Sequence, residues 1–134
     1  METCQVNKDI HVFGLQVKTF PKGIGEAFDE LVNKIPGGFN RPYYGIAYME
    51  NNQPFYFATA IETYDGEAEG YGYEKFVIEK GTYITELVTG WKEKTACIKD
   101  VFAEMMKDNR YNRSTPCIEW YKNEHEMICV LKTK

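Results

Sequence analysis

Several residue types and patterns that define protein classes are scarce or missing in this sequence. It has only two histidines, His11 and His125, and neither lies in a pattern with a nucleophile or a metal-binding partner. The four cysteines form no CxxC pair and no Cys/His spacing typical of zinc sites. We therefore expect no metal, no cofactor and, in a reducing cytoplasm, four free thiols: Cys4, Cys97, Cys117 and Cys129.

The sequence also lacks a long apolar run and a basic patch. No stretch is long enough to cross a bilayer, and residues 1–9 are polar and unlike a signal peptide. The formal net charge is -4 and the Lys and Arg residues are scattered, so the electrostatic footprint of a nucleic-acid-binding protein is absent. We expect a cytoplasmic protein that binds neither a membrane nor nucleic acid directly.

The residues that are abundant favour one folded domain with a binding surface. The chain has 134 residues, 43% of them hydrophobic and 27% charged, and this size allows a core without disulfide or metal support. Ten tyrosines are more than a plain core needs, and tyrosine combines an apolar ring with a polar tip. We predict a single domain over residues 1–134, with tyrosines that line a binding surface.

The first half of the chain predicts a strand, a helix and a hairpin. Residues 10–20 are rich in β-branched and aromatic types, which is typical of a strand. Apolar residues recur at helical spacing over 24–35, and a Pro-Gly-Gly sequence then ends the helix. Two aromatic strands, at about 43–49 and 55–62, flank a polar turn.

The second half repeats this order. Residues 76–88 predict a strand with a bend near Gly81. A helix follows at about 95–107, with its apolar residues on one face. Strands at about 117–122 and 127–132 then form a second hairpin.

The matching order of elements predicts a duplicated α+β fold. A glycine-rich acidic loop, 64–72, separates a module at about 10–62 from a module at about 74–132. Each module has the order strand-helix-strand-strand. Two such modules can pair their antiparallel sheets around a central groove, with the two helices on the outer faces, and ligands commonly bind in such grooves.

Strand alternation predicts which face of the sheet the Glu119 side chain lies on. Residues two apart share a face, so Cys117, Glu119 and Tyr121 lie on one face and Ile118 and Trp120 on the other. We expect Ile118 and Trp120 to pack against a helix, which turns Glu119 into the groove. Burial there would raise the pKa of Glu119 unless a cation or hydroxyl groups compensate.

The first hairpin supplies the opposite wall of this groove. A shift of 74 residues between the modules places Gly45 opposite Glu119, and a turn centred near Asn51-Asn52 decides which residues share the face of Gly45. A slip of one residue would exchange the two faces. The face opposite Glu119 is small in its middle and flanked by tyrosines, and it carries Tyr43, Gly45, Ala47, Tyr56, Ala58 and Ala60.

Three short motifs stand in order along the chain. They are Tyr44-Gly45-Ile46-Ala47-Tyr48, Gly81-x-Tyr83 and Pro116-Cys117-Ile118-Glu119-Trp120-Tyr121. Together they resemble the GyrI-like family of small-molecule-binding domains, over nearly the whole chain. That family supplies effector-binding domains to multidrug-responsive and AraC-type transcription regulators.

The resemblance implies roles for individual residues. Glu119 would lie at the floor of a pocket and meet the positive charge of a ligand. Tyr43, Tyr56, Trp91 and Tyr121 would form its aromatic walls. The chain has no helix-turn-helix segment, so we expect a protein that sequesters its ligand or a sensor that acts with a separate DNA-binding protein.

Three functions stay open at this point, as does the oligomeric state. The favoured one is a module that binds an apolar or cationic small molecule. The alternative, which the resemblance to the GyrI-like family also implies, is a hydrolase of strained or electrophilic toxic molecules, in which Glu119 and Tyr121 would activate water or donate a proton. The third is an interaction protein whose aromatic groove takes a peptide or another subunit. We expect Glu62 and Glu86 to be solvated strand ends and Trp120 to be a core residue.

Overall fold

The computed structural model describes residues 2–18, 22–37, 41–94, 97–123 and 125–134. Within these ranges, eight strands form one antiparallel sheet that curls into a half-barrel. The strands are β1 (Glu2–Val6), β2 (Ile10–Gln16), β3 (Tyr43–Glu50), β4 (Gln53–Ile61), β5 (Glu74–Ile78), β6 (Gly81–Thr89), β7 (Cys117–Tyr121) and β8 (Glu126–Lys132). The helices among the described residues are α1 (Ile24–Lys34), α2 (Glu67–Tyr71) and α3 (Ile98–Met105), and Trp91–Glu93 form a 3₁₀ turn. The predicted α+β class is confirmed.

Helix α1 follows directly from its local sequence. Ala27 and Leu31 lie one turn apart and are buried, and Ile35 continues the same apolar stripe. The helix begins after Gly23, whose φ of 90° favours a residue without a β-carbon. It ends because Ile35 is extended and Pro36 follows.

Three elements differ from the sequence prediction. The strand predicted over 76–88 is divided into β5 and β6, and Gly81, with φ of 140°, begins the second of them. β1 lies in the polar N-terminal segment, and α2 lies in the predicted loop. The predicted strand residues 19 and 20 and the predicted helix residues 95 and 96 lie outside the described residues.

The order of strands explains how the two halves of the chain are joined. Across the sheet the order is β1-β6-β8-β7-β3-β4-β2-β5, so β7 and β3 form the central seam between the halves. β1 precedes β2 in sequence but pairs with β6, and β5 precedes β6 but pairs with β2. Each half therefore has its outer edge completed by a strand that leads into the other half.

Both long helices cover the same face of this sheet. Helix α1 packs on β4, with its buried residues against Phe13, Tyr56 and Ala58. Helix α3 packs on β6 and β8, in a cluster that includes Ile84 and Met127. These strand residues and Glu119 share one face by alternation and register, so we call it the helix face.

The prediction that Ile118 and Trp120 pack against a helix is wrong. Both belong to a third cluster on the opposite face, whose members all come from strands. Tyr44 stacks on Trp120 there, with ring centroids 6.4 Å apart. Both faces of the curled sheet are apolar, and alternation alone does not determine which of two apolar faces a helix covers.

No helix within the described ranges is long and apolar enough to span a bilayer.

A buried ion pair holds α2 against the start of β3. Arg41 Nη2 donates to Glu67 Oε2 at 2.8 Å, and the two side chains are 5% and 0% exposed. The Thr63 amide and hydroxyl donate to the other oxygen, Oε1, at 2.9 and 3.0 Å. Burial raises the pKa of Glu67, but the hydrogen bonds from Arg41 and Thr63 outweigh it and leave the pKa below its ordinary value.

The Arg41–Glu67 pair makes a prediction for stability. We expect Glu67→Gln to lower the free energy of unfolding by about 3 kcal/mol at neutral pH, because it leaves Arg41 buried without its counter-charge. A carboxyl with a lowered pKa stabilises the fold above its ordinary pKa and loses that effect as the pH falls. The cost of the substitution should therefore shrink in acid, as measured by urea unfolding across a pH series.

Glu69→Gln is the matched control for this measurement. Glu69 lies in the same helix and pairs with Lys75 at 3.2 Å, but its side chain is 62% exposed. Its substitution should change stability far less. Equal costs for the two variants would contradict a structural role for the buried pair.

Candidate functional site

Glu119 lies at the central seam of the sheet. In β7 it pairs with Gly45 of β3 on one side and with Cys129 of β8 on the other. The predicted register, with Gly45 opposite Glu119, is confirmed. The seam is the place where the two halves meet, between the regions that α1 and α3 cover.

Two tyrosine hydroxyls converge on one oxygen of this carboxylate. Tyr56 donates to Glu119 Oε1 at 2.5 Å, and Tyr121 donates to the same atom at 2.8 Å. The two hydroxyl oxygens are 3.4 Å apart. Two donors on one oxygen fit an ionised carboxylate, which only accepts hydrogen bonds.

The other oxygen, Oε2, is in a different situation. No described residue donates a hydrogen bond to it, and no described Lys or Arg forms an ion pair with Glu119. Glu119 is only partly exposed to solvent. The site therefore holds a carboxylate that is largely removed from water and lacks a cationic partner among the described residues.

The electrostatics of the site follow from this burial. Desolvation raises the pKa of Glu119, and the hydrogen bonds from Tyr56 and Tyr121 offset only part of that rise. Burial and then the nearby charge of Glu119 raise the pKa of both tyrosines well above the ordinary value. The hydroxyls therefore remain protonated and act as donors.

The two neighbouring thiols are poor nucleophiles. Burial, with the charge of Glu119 as a smaller cause, raises the pKa of Cys117 to about 11 and that of Cys129 to about 12. Both thiols stay protonated at neutral pH, where a thiol reacts slowly. Among the described residues there is also no group of three or more His, Cys, Asp or Glu that could hold a metal ion.

Gly45 makes the contact between Tyr56 and Glu119 possible. Tyr56 lies on β4 and Glu119 on β7, and β3 runs between these two strands. A β-carbon on Gly45 would overlap the Tyr56 hydroxyl and lie 2.5 Å from Glu119 Oε1. The tyrosine therefore reaches across β3 only because position 45 carries no side chain.

Aromatic rings from two elements pack against Tyr121. Trp91 of the 3₁₀ turn lies edge-on to it at 4.9 Å between ring centroids, and Phe28 of α1 lies edge-on at 5.1 Å. Phe28 also contacts Tyr43 edge-on at 6.2 Å. The Trp91 indole N–H donates to the Asn123 carbonyl at 3.0 Å, which fixes the orientation of the ring.

The predicted site residues all lie on the helix face or beside it, but only some of them contact Glu119. Tyr56, Tyr121 and Gly45 contact or adjoin the carboxylate, whereas Tyr43 and Trp91 are connected to it through aromatic contacts. Ala47 and Ala58 share its face, and Ala58 is fully buried in the cluster under α1. Phe28 was not among the predicted site residues; its place at the edge of the helical apolar stripe was the available signal.

Glu62 and Glu86, which were predicted to be solvated strand ends, differ in their exposure to solvent. The prediction that Glu62 is a solvated strand end is wrong, because its side chain is 7% exposed and accepts a hydrogen bond from the Ala68 amide at 3.2 Å. Helix α2, which supplies that amide, was not predicted. Glu86 is partly exposed on the helix face, two strands from Glu119.

Comparisons with known proteins identify the fold. No protein-family model and no curated protein sequence matches the chain. Among solved structures, an integron cassette protein from the mobile metagenome of Vibrio cholerae superposes with a TM-score of 0.68 at 17% identity, covering 99% of this chain and 95% of that one.

Two further solved structures share this architecture. SAV2435, solved in complex with tetraphenylphosphonium, has a TM-score of 0.67 at 14% identity and covers 99% of this chain and 93% of its own. The C-terminal domain of EcmrR has a TM-score of 0.58 at 15% identity, with coverages of 99% and 96%. At these identities the likeness establishes a shared fold.

The raised pKa of Glu119 makes a prediction for stability. A carboxyl whose pKa rises on folding stabilises the protein fully below its ordinary pKa, and this effect is lost as the pH rises through the folded value. Glu119→Gln should therefore be more stable than the wild type at neutral pH, with a difference that closes in acid. Urea unfolding across a pH series measures this, and Glu86→Gln should change stability little. A less stable Glu119→Gln protein at neutral pH would contradict the account.

The close approach at Gly45 makes a second prediction. We expect Gly45→Ala to lower the free energy of unfolding by about 1–3 kcal/mol, because the new methyl group overlaps Tyr56 and Glu119. In a Tyr56→Phe background the cost should fall, since the overlapping hydroxyl is gone. Gly25→Ala is the matched control: nothing lies within 4 Å of its β-carbon, and in α1 the change should be neutral or stabilising. An unchanged cost in the Tyr56→Phe background would rule out the proposed contact.

Proposed function

We propose that this protein binds an apolar small molecule that carries a positive charge, with Glu119 as the charge anchor and aromatic rings as the walls. The observation that carries the proposal is the partly buried Glu119 carboxylate. Two tyrosine hydroxyls donate to one of its oxygens, and no described Lys or Arg forms an ion pair with it. A buried charge without a partner is costly, and a cationic ligand removes that cost.

The surroundings of Glu119 favour an apolar ligand over a hydrated ion. Phe28 and Trp91 pack edge-on against Tyr121, whose hydroxyl donates to the carboxylate, and Phe28 also contacts Tyr43. Aromatic faces attract cations as well as apolar groups. A flat or aromatic cation therefore gains both burial and charge compensation at this site.

The access route is proposed between α1 and the 3₁₀ turn. Phe28 and Trp91 pack against Tyr121 from these two elements. Both side chains keep partial exposure, so rotation of either ring would open a path from solvent to the carboxylate. Ala47 lies in β3 on the same face as Glu119, and its small side chain adds little bulk beside the carboxylate.

The comparisons support this proposal through two proteins of the same fold. SAV2435 was solved with the lipophilic cation tetraphenylphosphonium, and EcmrR contributes a C-terminal domain of this architecture. Together with the GyrI-like motifs around Glu119, they support an effector-binding or ligand-sequestering role linked to transcription regulation or drug response. A DNA-binding partner protein and a cytoplasmic location belong to the same proposal.

Isothermal titration calorimetry with tetraphenylphosphonium tests the charge anchor. We expect the wild type to bind it and Glu119→Gln to bind at least about tenfold more weakly, because the ligand then loses its counter-charge in a desolvated site. Glu86→Gln removes the same charge from the same face of the sheet, two strands away, and should keep nearly the wild-type affinity.

Two results would contradict the proposal. Equal affinities of wild type and Glu119→Gln would show that the carboxylate is not the anchor. If the wild type bound none of a panel of aromatic cations, the proposed binding function itself would be contradicted. The hydrolase alternative has its own readout, because it requires product from an electrophilic substrate with wild type and none with Glu119→Gln.

A further inference from the structure

We infer that the ligand for which this site is built presents an N–H donor to Glu119 Oε2, so that a protonated amine or amidine is preferred over a quaternary cation of the same shape. This inference rests on the proposed function, because it specifies the chemistry of the ligand at the same carboxylate. It goes beyond charge attraction, which a quaternary cation satisfies equally.

The unequal use of the two carboxylate oxygens is the basis for this inference. Oε1 accepts hydrogen bonds from both Tyr56 and Tyr121, at 2.5 and 2.8 Å. A carboxylate oxygen has about two lone-pair sites, so two donors fill Oε1. No described residue donates to Oε2, so its lone pairs have no hydrogen-bond donor within the described part of the chain.

The packing of Tyr56 and Tyr121 keeps their hydroxyls at Oε1, so they do not also donate hydrogen bonds to Oε2. Tyr56 is 1% exposed, and its ring is packed in the cluster under α1. Tyr121 lies between the rings of Phe28 and Trp91. Rotation of either hydroxyl toward Oε2 would leave Oε1 with fewer donors, so the number of donors at the carboxylate would not increase.

A quaternary cation and a protonated amine therefore differ at this site. Both compensate the charge of Glu119, but only the amine carries a proton that Oε2 can accept. Hydrogen bonds between ionised groups are shorter and stronger than neutral ones. A hydrogen bond to a charged group changes affinity by about tenfold to a hundredfold, and that range sets the size of the expected preference.

A matched pair of ligands tests the inference by calorimetry near neutral pH. The probes are a naphthylmethyl dimethylammonium ion, which carries one N–H, and the corresponding trimethylammonium ion, which carries none. Quaternisation also changes hydration, so the quantity compared is the ratio of the two dissociation constants, trimethyl over dimethyl, in each protein. Wild type, Glu119→Gln and Glu86→Gln are measured in parallel.

The amide of Glu119→Gln places a donor where Oε2 was. Its carbonyl oxygen can still accept from Tyr56 and Tyr121, so its NH₂ group points toward the ligand. We expect the ratio in the wild type to exceed that in Glu119→Gln by at least about tenfold. Glu86→Gln should keep the wild-type ratio.

The outcomes separate this inference from the proposed function. If Glu119→Gln weakens both probes by the same factor, the anchor is a charge without a directed hydrogen bond, and the inference is wrong while the proposed function stands. If Glu119→Gln weakens neither probe, or the wild type binds neither, both are wrong.

A second measurement does not depend on any variant. In a crystal structure of the wild type with the dimethylammonium probe, the ammonium nitrogen should lie within about 3.2 Å of Glu119 Oε2. A nitrogen that contacts only aromatic rings, or that lies nearest to Oε1, would overturn the inference.

Discussion

The hydrogen bonds from Tyr56 and Tyr121 to Glu119 connect the two halves of the chain at the seam of the sheet. Tyr56 belongs to β4 of the first half, and Glu119 and Tyr121 belong to β7 of the second. The contact requires the β3–β7 register that places Gly45 beside Glu119, and it requires the absence of a side chain at position 45. The geometry of the site is thus a consequence of how the halves pair, and a change in register would dismantle it.

The same contact lies at a carboxylate that lowers the stability of the fold, and the proposed function assigns the compensation of that cost to a bound cation. Desolvation raises the pKa of Glu119, and two tyrosine hydroxyls offset only part of that effect. The buried Glu67 shows the opposite outcome, since Arg41 and Thr63 satisfy both of its oxygens and its pKa falls. Glu67 therefore has partners on both oxygens and holds helix α2, whereas the partly exposed Glu119 has donors on Oε1 only among the described residues.

The local sequence was sufficient to group Glu119 with Cys117 and Tyr121 on one face and to set its register with Gly45, because strand alternation has a strict period of two and the small residues of β3 mark one face. The local sequence was insufficient for elements and contacts that depend on pairing between residues far apart in the chain. β1 is polar and becomes a strand only by pairing with β6, and the Arg41–Glu67 pair joins residues far apart in sequence. The helix-covered face was assigned wrongly to Ile118 and Trp120, because the curled sheet buries apolar side chains on both faces.

The central claim is that Glu119 is a desolvated carboxylate that a bound cation completes. Titration of its side-chain carboxyl by ¹³C nuclear magnetic resonance, in the free protein and in the protein saturated with tetraphenylphosphonium, tests this claim most directly. The account predicts a pKa above the ordinary value for glutamate in the free protein, and a clear fall when the cation binds. A pKa at or below the ordinary value, or one that the bound cation leaves unchanged, would contradict it.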